Sequence, residues 1–592
     1  MKNYVPVLLG AIVSLGLFLG LEPLLTFPVW GSDTGEYYFL TQYLVHHGHL
    51  LLQGYSGWGF GYPDFPGMFL LGGSVAESFG VSPLESVIYV IPVIGALSSL
   101  PLFLLFRRLG VRDSVALLGT ALSAVAFPRI FILAHPVPDT LGDFLAVAAL
   151  WMFVEQRRDV RWIVPLGLTL STLVVSHHLS SYFFLVVATG MVVGLELLAP
   201  RRWSLRFPVR EFVILGTFTA GLFSYWVLYA SAFEPILAQG IPGLRITSLP
   251  ALALLYSLGT IVALVLLALF VHLRRTRAMP RRALAHPRWP SRNKMARDAL
   301  VLGVLVFGGA SLLVFIPIPG TGEIIPAGDV LWFAPFLVLV PLTAGGIGTS
   351  ASSRLGPVPY AIVVAVFLSA AVSTLAHSQA IPVDRHTEYI DIGIAFVAAI
   401  AIGGMAGRVG EAPWRKMAVA AGVASLVGLN AAIAFPPPSL TAGFQEGFTV
   451  QDVSLATWSA NSLPAGSALA ADHRLSDLYF GLSGNPATWD STCFLFLGGA
   501  AECGPASPNV TAAVLSELNL SQAPNTHHLH AIDAVAVDQV MRTTGVALDP
   551  SQPALPLNAT QYRFFQSASF TLLYENGDQQ VWWYLPPGQA TA

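Results

Sequence analysis

Residues 4–25 read YVPVLLGAIVSLGLFLGLEPLL, and residues 30–38 read WGSDTGEYY. The first stretch contains no Lys or Arg, and as a helix it is about 33 Å long, enough to cross a hydrocarbon core of about 30 Å. The second places two carboxylates, Asp33 and Glu36, just beyond the end of that helix. The rest of the chain extends this pattern. Apolar runs recur at about 84–106, 114–134, 139–155, 162–176, 181–199, 209–231, 249–273, 298–318, 328–348, 357–376, 389–406 and 417–435, thirteen in all with the first. The composition agrees, with 54% hydrophobic and 11% charged residues and a mean hydropathy of +0.65, against roughly 25% charged in soluble domains. A soluble globular chain and a disordered one are both excluded. The expected fold is a polytopic α-helical membrane domain over 1–435, followed by a water-soluble, mixed α/β domain over 436–592. That last segment has no such run and carries twelve Asp/Glu against three Arg and no Lys.

The cations set the expected orientation. With Lys2 placed inside, alternate loops hold 24 of the 30 Lys and Arg, nine of them between Arg274 and Arg297, whereas the opposite loops of 1–435 hold only Arg129, Arg245 and Arg385. By the positive-inside rule the N-terminus is cytoplasmic, and thirteen crossings put the C-terminal domain outside a cell membrane. No small-x-small cleavage site follows Leu24-Leu25, so residues 4–25 are read as a retained helix rather than a signal peptide. Both cysteines, Cys493 and Cys503, lie in the external segment, and a disulfide between them suits an oxidising compartment. No Gly-x-Gly-x-x-Gly, Walker loop, CxxC or HExxH is present, which argues against nucleotide-driven transport, and no nucleic-acid partner is expected.

Ionisable groups are costly inside a bilayer, so their positions carry functional information. They gather in the outer loops. The first external loop, 26–83, holds Asp33 ahead of a short helix from Glu36 to about Leu52; Asp33 is placed either to cap that helix or to act in a site. The second reads AHPVPDTLGD over 134–143, setting Asp139 and Asp143 four residues apart on one helical face near His135. Two carboxylates and an imidazole suit a hard divalent cation, although carboxylates at a helix start also compensate its dipole. His177 and His178 follow in the next outer turn, Glu323 lies in the loop 320–323, and Asp384-Arg385-His386-Thr387-Glu388 precedes a later helix. Arg385 is a natural counter-ion for a lipid phosphate.

This order of features resembles the GT-C superfamily of glycosyltransferases that use lipid-phosphate sugars, and within it the oligosaccharyltransferase catalytic subunit. Asp33 matches the first-loop Asp, Asp139 and Asp143 match the second-loop acidic motif, and Glu323 falls where the family has its Glu-bearing loop. The segment WSANSLPAG at 458–466 looks like the start of the family's soluble domain. Where the family has its Trp-Trp-Asp-Tyr-Gly motif this chain reads DHRLSDLYFG at 472–481, and Asp139 and Asp143 are spaced more widely than the usual pair. The resemblance implies transfer of a sugar from a polyprenyl phosphate or diphosphate, at the outer face of the bilayer, to a protein or glycolipid acceptor. In that reading Asp33 and Glu323 are catalytic. Asp139, Asp143, His135 and His177 hold Mg²⁺ or Mn²⁺, and Arg385, His386 and His178 face the donor phosphate. Asp472, His473 and Arg474 lie on the acceptor side. A transporter or flippase of a lipid-linked substrate is the alternative, and a noncatalytic assembly subunit leaves thirteen helices unexplained.

Overall fold

The computed structural model describes residues 4–51, 54–59, 61–127, 129–195, 209–230, 254, 257–266, 268–269, 292–316, 327–352, 358–376, 381–383, 385–407, 412–437, 440, 445–488, 493–498, 532–546, 555–557, 559–567 and 569–585. It forms two compact units. One comprises Met1–Gly20, Pro92–Ala134 and Pro138–Phe435, and the other Leu21–Ile91, His135–Val137 and Pro436–Ala592. The long segment 26–83 therefore folds with the C-terminal quarter of the chain.

The first unit is helical. Among the described residues, four helices of the chain are long and apolar enough to cross a membrane: Tyr4–Leu25, Pro83–Arg108, Val209–Leu228 and His386–Ala406. Six shorter apolar helices accompany them. One expected span, 114–134, is two helices, Asp113–Val125 and Arg129–Leu133. Ala126 turns extended at the first helix's end, two residues before Pro128, whose ring and missing N–H oppose helix continuation. The helix His386–Ala406 lies deep in the unit. Its residues Ile392 to Ile402 are all buried, the signature of a helix packed on every side. Small residues make the close packing possible: a Cβ at Gly393 would lie 2.6 Å from Val363 Cγ2, and one at Gly190 would lie 2.7 Å from Ala365 Cβ. Phe106 and Phe396 stack with centroids 4.1 Å apart. Elsewhere on the unit large apolar side chains face outward, among them Val164, Leu168, Leu300, Leu305 and Phe367. An apolar outside on an apolar inside is what a lipid solvent selects.

The second unit contains all six described strands. Strand β1 (Val29–Trp30) pairs antiparallel with β2 (Gly447–Phe448). The strands β3 (Leu469–Ala470), β4 (Ala534–Val537), β5 (Phe570–Asn576) and β6 (Gln579–Tyr584) form one sheet in the order β3-β4-β6-β5. Only the β3–β4 pair is parallel. Strands β3 and β4 fall inside the strand-like stretches 467–471 and 531–537 of the sequence, and β5 starts with a third, 570–574, and runs two residues past it. The β5–β6 hairpin closes through Gly577 and Asp578, with Gly577 at φ 67°, the left-handed backbone that two-residue hairpin loops demand. Leu475, Tyr479 and Phe480 of helix His473–Ser483 belong to the core formed around the sheet.

Helix Thr34–His47 packs against helix His473–Ser483 through a pair of glycines. A Cβ at Gly35 would lie 2.0 Å from Asp477 O, and one at Gly481 would lie 2.3 Å from Gly35 O. Only hydrogen at both positions allows the two backbones to touch.

Candidate functional site

Each unit contains a cluster of ionisable groups. In the second unit the cluster is built on Asp33. The sequence left open whether Asp33 caps its helix, and the structure answers that: its side chain makes no capping bond. Its Oδ1 instead lies 3.0 Å from His473 Nε2, across a separation of 440 residues. Tyr37 and Tyr62 donate their hydroxyls to its Oδ2 at 3.2 and 3.1 Å. His473 Nε2 also lies 3.3 Å from Asp477 Oδ2. The Trp58 and His473 rings meet in a T-shaped arrangement with centroids 4.7 Å apart, and both His473 and Asp477 are fully buried.

The electrostatics follow from these contacts. Burial works to raise the Asp33 pKa, but the hydrogen bond and charge of His473, with the two phenols, outweigh it and hold the carboxyl below its ordinary value. Glu36, one helical turn on, behaves in the opposite way. Its burial dominates the Gly59 N–H bond at 2.8 Å, and the nearby Asp33 charge adds to the effect, so its pKa rises to about 8. One carboxylate is thus ionised and its neighbour protonated at neutral pH. His135 also belongs to this unit, where its Nε2 is 3.6 Å from Glu446 Oε2 and its ring lies 5.4 Å from Trp30.

Of the three residues expected on the acceptor side, only His473 reaches Asp33. Asp472 caps helix His473–Ser483 by accepting from Leu475 N–H at 3.0 Å. Arg474 donates from Nε and Nη2 to Asp472 Oδ2 at 3.1 and 2.9 Å, and from Nη2 to Asp538 Oδ2 at 2.8 Å. All three are fully buried, so Asp472 and Arg474 form an internal ion network rather than the surface turn that three polar residues in a row suggest.

In the first unit the cluster is built on Asp139. Its Oδ1 accepts from Ser180 Oγ at 2.7 Å and lies 3.0 Å from His177 Nδ1. Its Oδ2 is 3.8 Å from Arg385 Nη1, which is itself 3.5 Å from Glu388 Oε1. Both Asp143 oxygens accept from Arg129, whose Nη2 also donates to Ser98 Oγ at 3.0 Å. Asp143 and Arg129 are buried. Asp139 and His177 are therefore brought together as the sequence suggested, and Arg385 joins them, while Asp143 is turned to Arg129. The His178 ring sits 4.9 Å from His177. His386 faces Pro382 O through Nδ1 at 3.0 Å and Ser369 Oγ through Nε2 at 2.8 Å. A carbonyl oxygen can only accept, so Nδ1 carries a proton.

Two expected residues lie outside the described set, Glu323 and Cys503. Cys493 is disulfide-bonded. Sequence reading missed Asp477, Tyr37, Tyr62, Ser180 and the role of Arg129. The four-residue interval from His473 to Asp477 was a visible signal, because it puts both on one helical face.

No protein-family model matches the sequence, and no curated protein matches it. Solved structures do. The Archaeoglobus fulgidus oligosaccharyltransferase tethered to an acceptor peptide containing an NVT sequon aligns with a TM-score of 0.58 at 16% identity, over 91% of this chain and 69% of that one. The same archaeal enzyme, AglB, in complex with an inhibitory peptide and a dolichol-phosphate gives 0.56 at 15%, over 91% and 69%. Its complex with Zn and sulfate gives 0.54 at 14%, over 98% and 74%. At such identities the likeness shows the fold alone, and that fold is the one seen in the archaeal oligosaccharyltransferase.

Proposed function

We propose that this chain is a membrane glycosyltransferase, moving a sugar or oligosaccharide from a polyprenyl phosphate or diphosphate to a protein or glycolipid acceptor outside the cell membrane. The observation that carries this reading is the Asp33 carboxylate, held ionised by His473, Tyr37 and Tyr62 in a chain with the GT-C fold. Asp33 orients the acceptor nucleophile and takes its proton as that atom bonds the anomeric carbon. The bond from that carbon to the phosphate oxygen breaks, and the phosphate leaves with both bonding electrons. In the other unit Arg385, with a side chain 39% exposed beside Asp139, is a counter-ion of the kind a lipid phosphate takes. His177 and Ser180 fix the Asp139 carboxylate. A divalent cation fits the chemistry of these carboxylate and imidazole donors, and when bound it would act as a Lewis acid toward phosphate oxygens. With its N-terminus cytoplasmic, the apolar helices of 1–435 cross the bilayer in this scheme, and 436–592 lies outside together with the segment 26–83 that folds with it.

The test is sugar transfer from a polyprenyl-linked donor in liposomes. Asp33→Asn lowers turnover about 100-fold or more, the range of general-base catalysis, and leaves donor binding intact. Full transfer by that variant, or lipid-linked substrate crossing the bilayer without transfer, would remove the assignment.

A further inference from the structure

The far end of helix Thr34–His47 carries His46, His47 and His49 around Gly48. Gly48 has φ 69°, the left-handed backbone that stops the helix and turns the chain back. That turn leaves the His49 and His47 ring centroids 6.0 Å apart. Tyr43, one helical turn earlier, stacks on His47 at 4.1 Å and meets His49 at 5.5 Å. Both imidazoles are tied through the same atom. His47 Nδ1 lies 3.0 Å from Tyr43 O, and His49 Nδ1 lies 3.1 Å from Leu50 O. A carbonyl oxygen can only accept, so each Nδ1 carries a proton, and in the neutral ring the lone pair is on Nε2. Among the described residues no hydrogen bond engages either Nε2, and both histidines are exposed.

We propose that His47 and His49 bind a transition-metal dication through their Nε2 atoms, clamping the last turn of the helix to the segment beyond Gly48. The tautomers support this. Ligating histidines almost always donate the other ring N–H to a carbonyl or carboxylate, and here both rings do so before any ion arrives. The spacing supports it as well. With a metal–nitrogen bond of about 2.0–2.1 Å, two rings on a tetrahedral ion have centroids about 5.2 Å apart. The 6.0 Å seen here closes with about 15° of side-chain rotation in one ring, inside a single rotamer well. The helix adds its own field, since the carbonyl end of the dipole favours a cation. Two imidazoles suit Zn²⁺ or Cu²⁺ and not Mg²⁺ or Ca²⁺, which take oxygen. The pair lies about 20 Å along the helix from Asp33, shares no ligand with it, and goes beyond the glycosyltransferase reading.

The experiment uses full-length, untagged protein in detergent, stripped with EDTA and dialysed against Zn²⁺. His47→Ala and His49→Ala each bind one equivalent of zinc fewer than wild type, whereas His46→Ala, equally exposed one residue away, binds as many as wild type. A second measurement needs no variant. Diethyl pyrocarbonate labels His46, His47 and His49 in the metal-free wild type, and mass spectrometry reads each position. Zn²⁺ protects His47 and His49 and leaves His46 labelled, and Mg²⁺ protects none of them. Wild-type zinc content in both His47→Ala and His49→Ala overturns the proposal. So does an equal loss in His46→Ala, which would mean local histidine density rather than this geometry, and so does zinc protection that spares neither or all three rings. None of these readings involves sugar transfer, so this site and the glycosyltransferase assignment stand or fall separately.

Discussion

Arg474→Leu isolates the energetic weight of the buried ion network. The guanidinium bonds Asp472 and Asp538 at 2.8–3.1 Å, contacts Gly447 O at 3.5 Å and lies 5.7 Å from the Phe448 ring centroid. Asp538 in turn caps helix Gln539–Thr543 through Met541 N–H at 2.6 Å. One cation therefore ties two helix caps and a strand together. Burial works against the Arg474 charge, but Asp472 and Asp538 more than compensate and push its pKa up. Leucine leaves two buried carboxylates facing each other, which costs about 3–5 kcal/mol. For a unit of this length, about 2–4 °C per kcal/mol gives a fall in Tm of about 6–20 °C. The loss shrinks at acid pH: burial already raises Asp538 to about 7, and protonating the orphaned acids removes their repulsion. Asp538→Asn keeps an acceptor for Met541 N–H and lowers the melting point less. The assay is thermal unfolding in detergent followed by tryptophan fluorescence at pH 5.5 and 8. An Arg474→Leu variant melting within about 2 °C of wild type at pH 8 would refute the reasoning.

Arg385→Ala weakens binding of a polyprenyl phosphate about 10-fold in a competition assay and leaves Tm nearly unchanged, because the side chain is 39% exposed and such pairs contribute little to stability. Glu36 carries a pKa of about 8 when folded, against an ordinary value of 4.5, so its effect on stability has a definite sign. The unfolded chain releases this proton first, and stability falls as pH rises from about 4.5 to 8; Glu36→Gln, melted in EDTA across that range, flattens the slope, and an unchanged slope would exclude Glu36 as its source. Protease added to intact cells releases fragments from 436–592, and cleavage only after the membrane is opened would invert the orientation.

The membrane character of the chain was legible because lipid imposes a coarse, length-dependent pattern that apolar runs report directly. Helix ends were less so, as in Asp113–Val125, where an extended Ala126 divides a continuous apolar stretch. Asp139 and His177 were recognisable as candidates because each stands at the start of a helix after a short connection. The link from Asp33 to His473 was not, since nothing local in either segment records a partner 440 residues away. Asp472 and Arg474 looked like an exposed turn because burial is a property of the packed unit, and a polar triplet gives no sign of the Asp538 that satisfies it.

The Gly35–Gly481 contact and the Val29–Phe448 strand pair set a timetable for biosynthesis. At about 5–20 residues per second, a ribosome needs roughly 20–90 s to travel from Asp33 to His473. Throughout that interval the segment around Asp33 has left the ribosome without the helix that completes it. Any factor that shelters a nascent segment would be needed at this stage of synthesis, and slowed elongation between the two segments would lower the yield of folded protein before it altered the finished molecule.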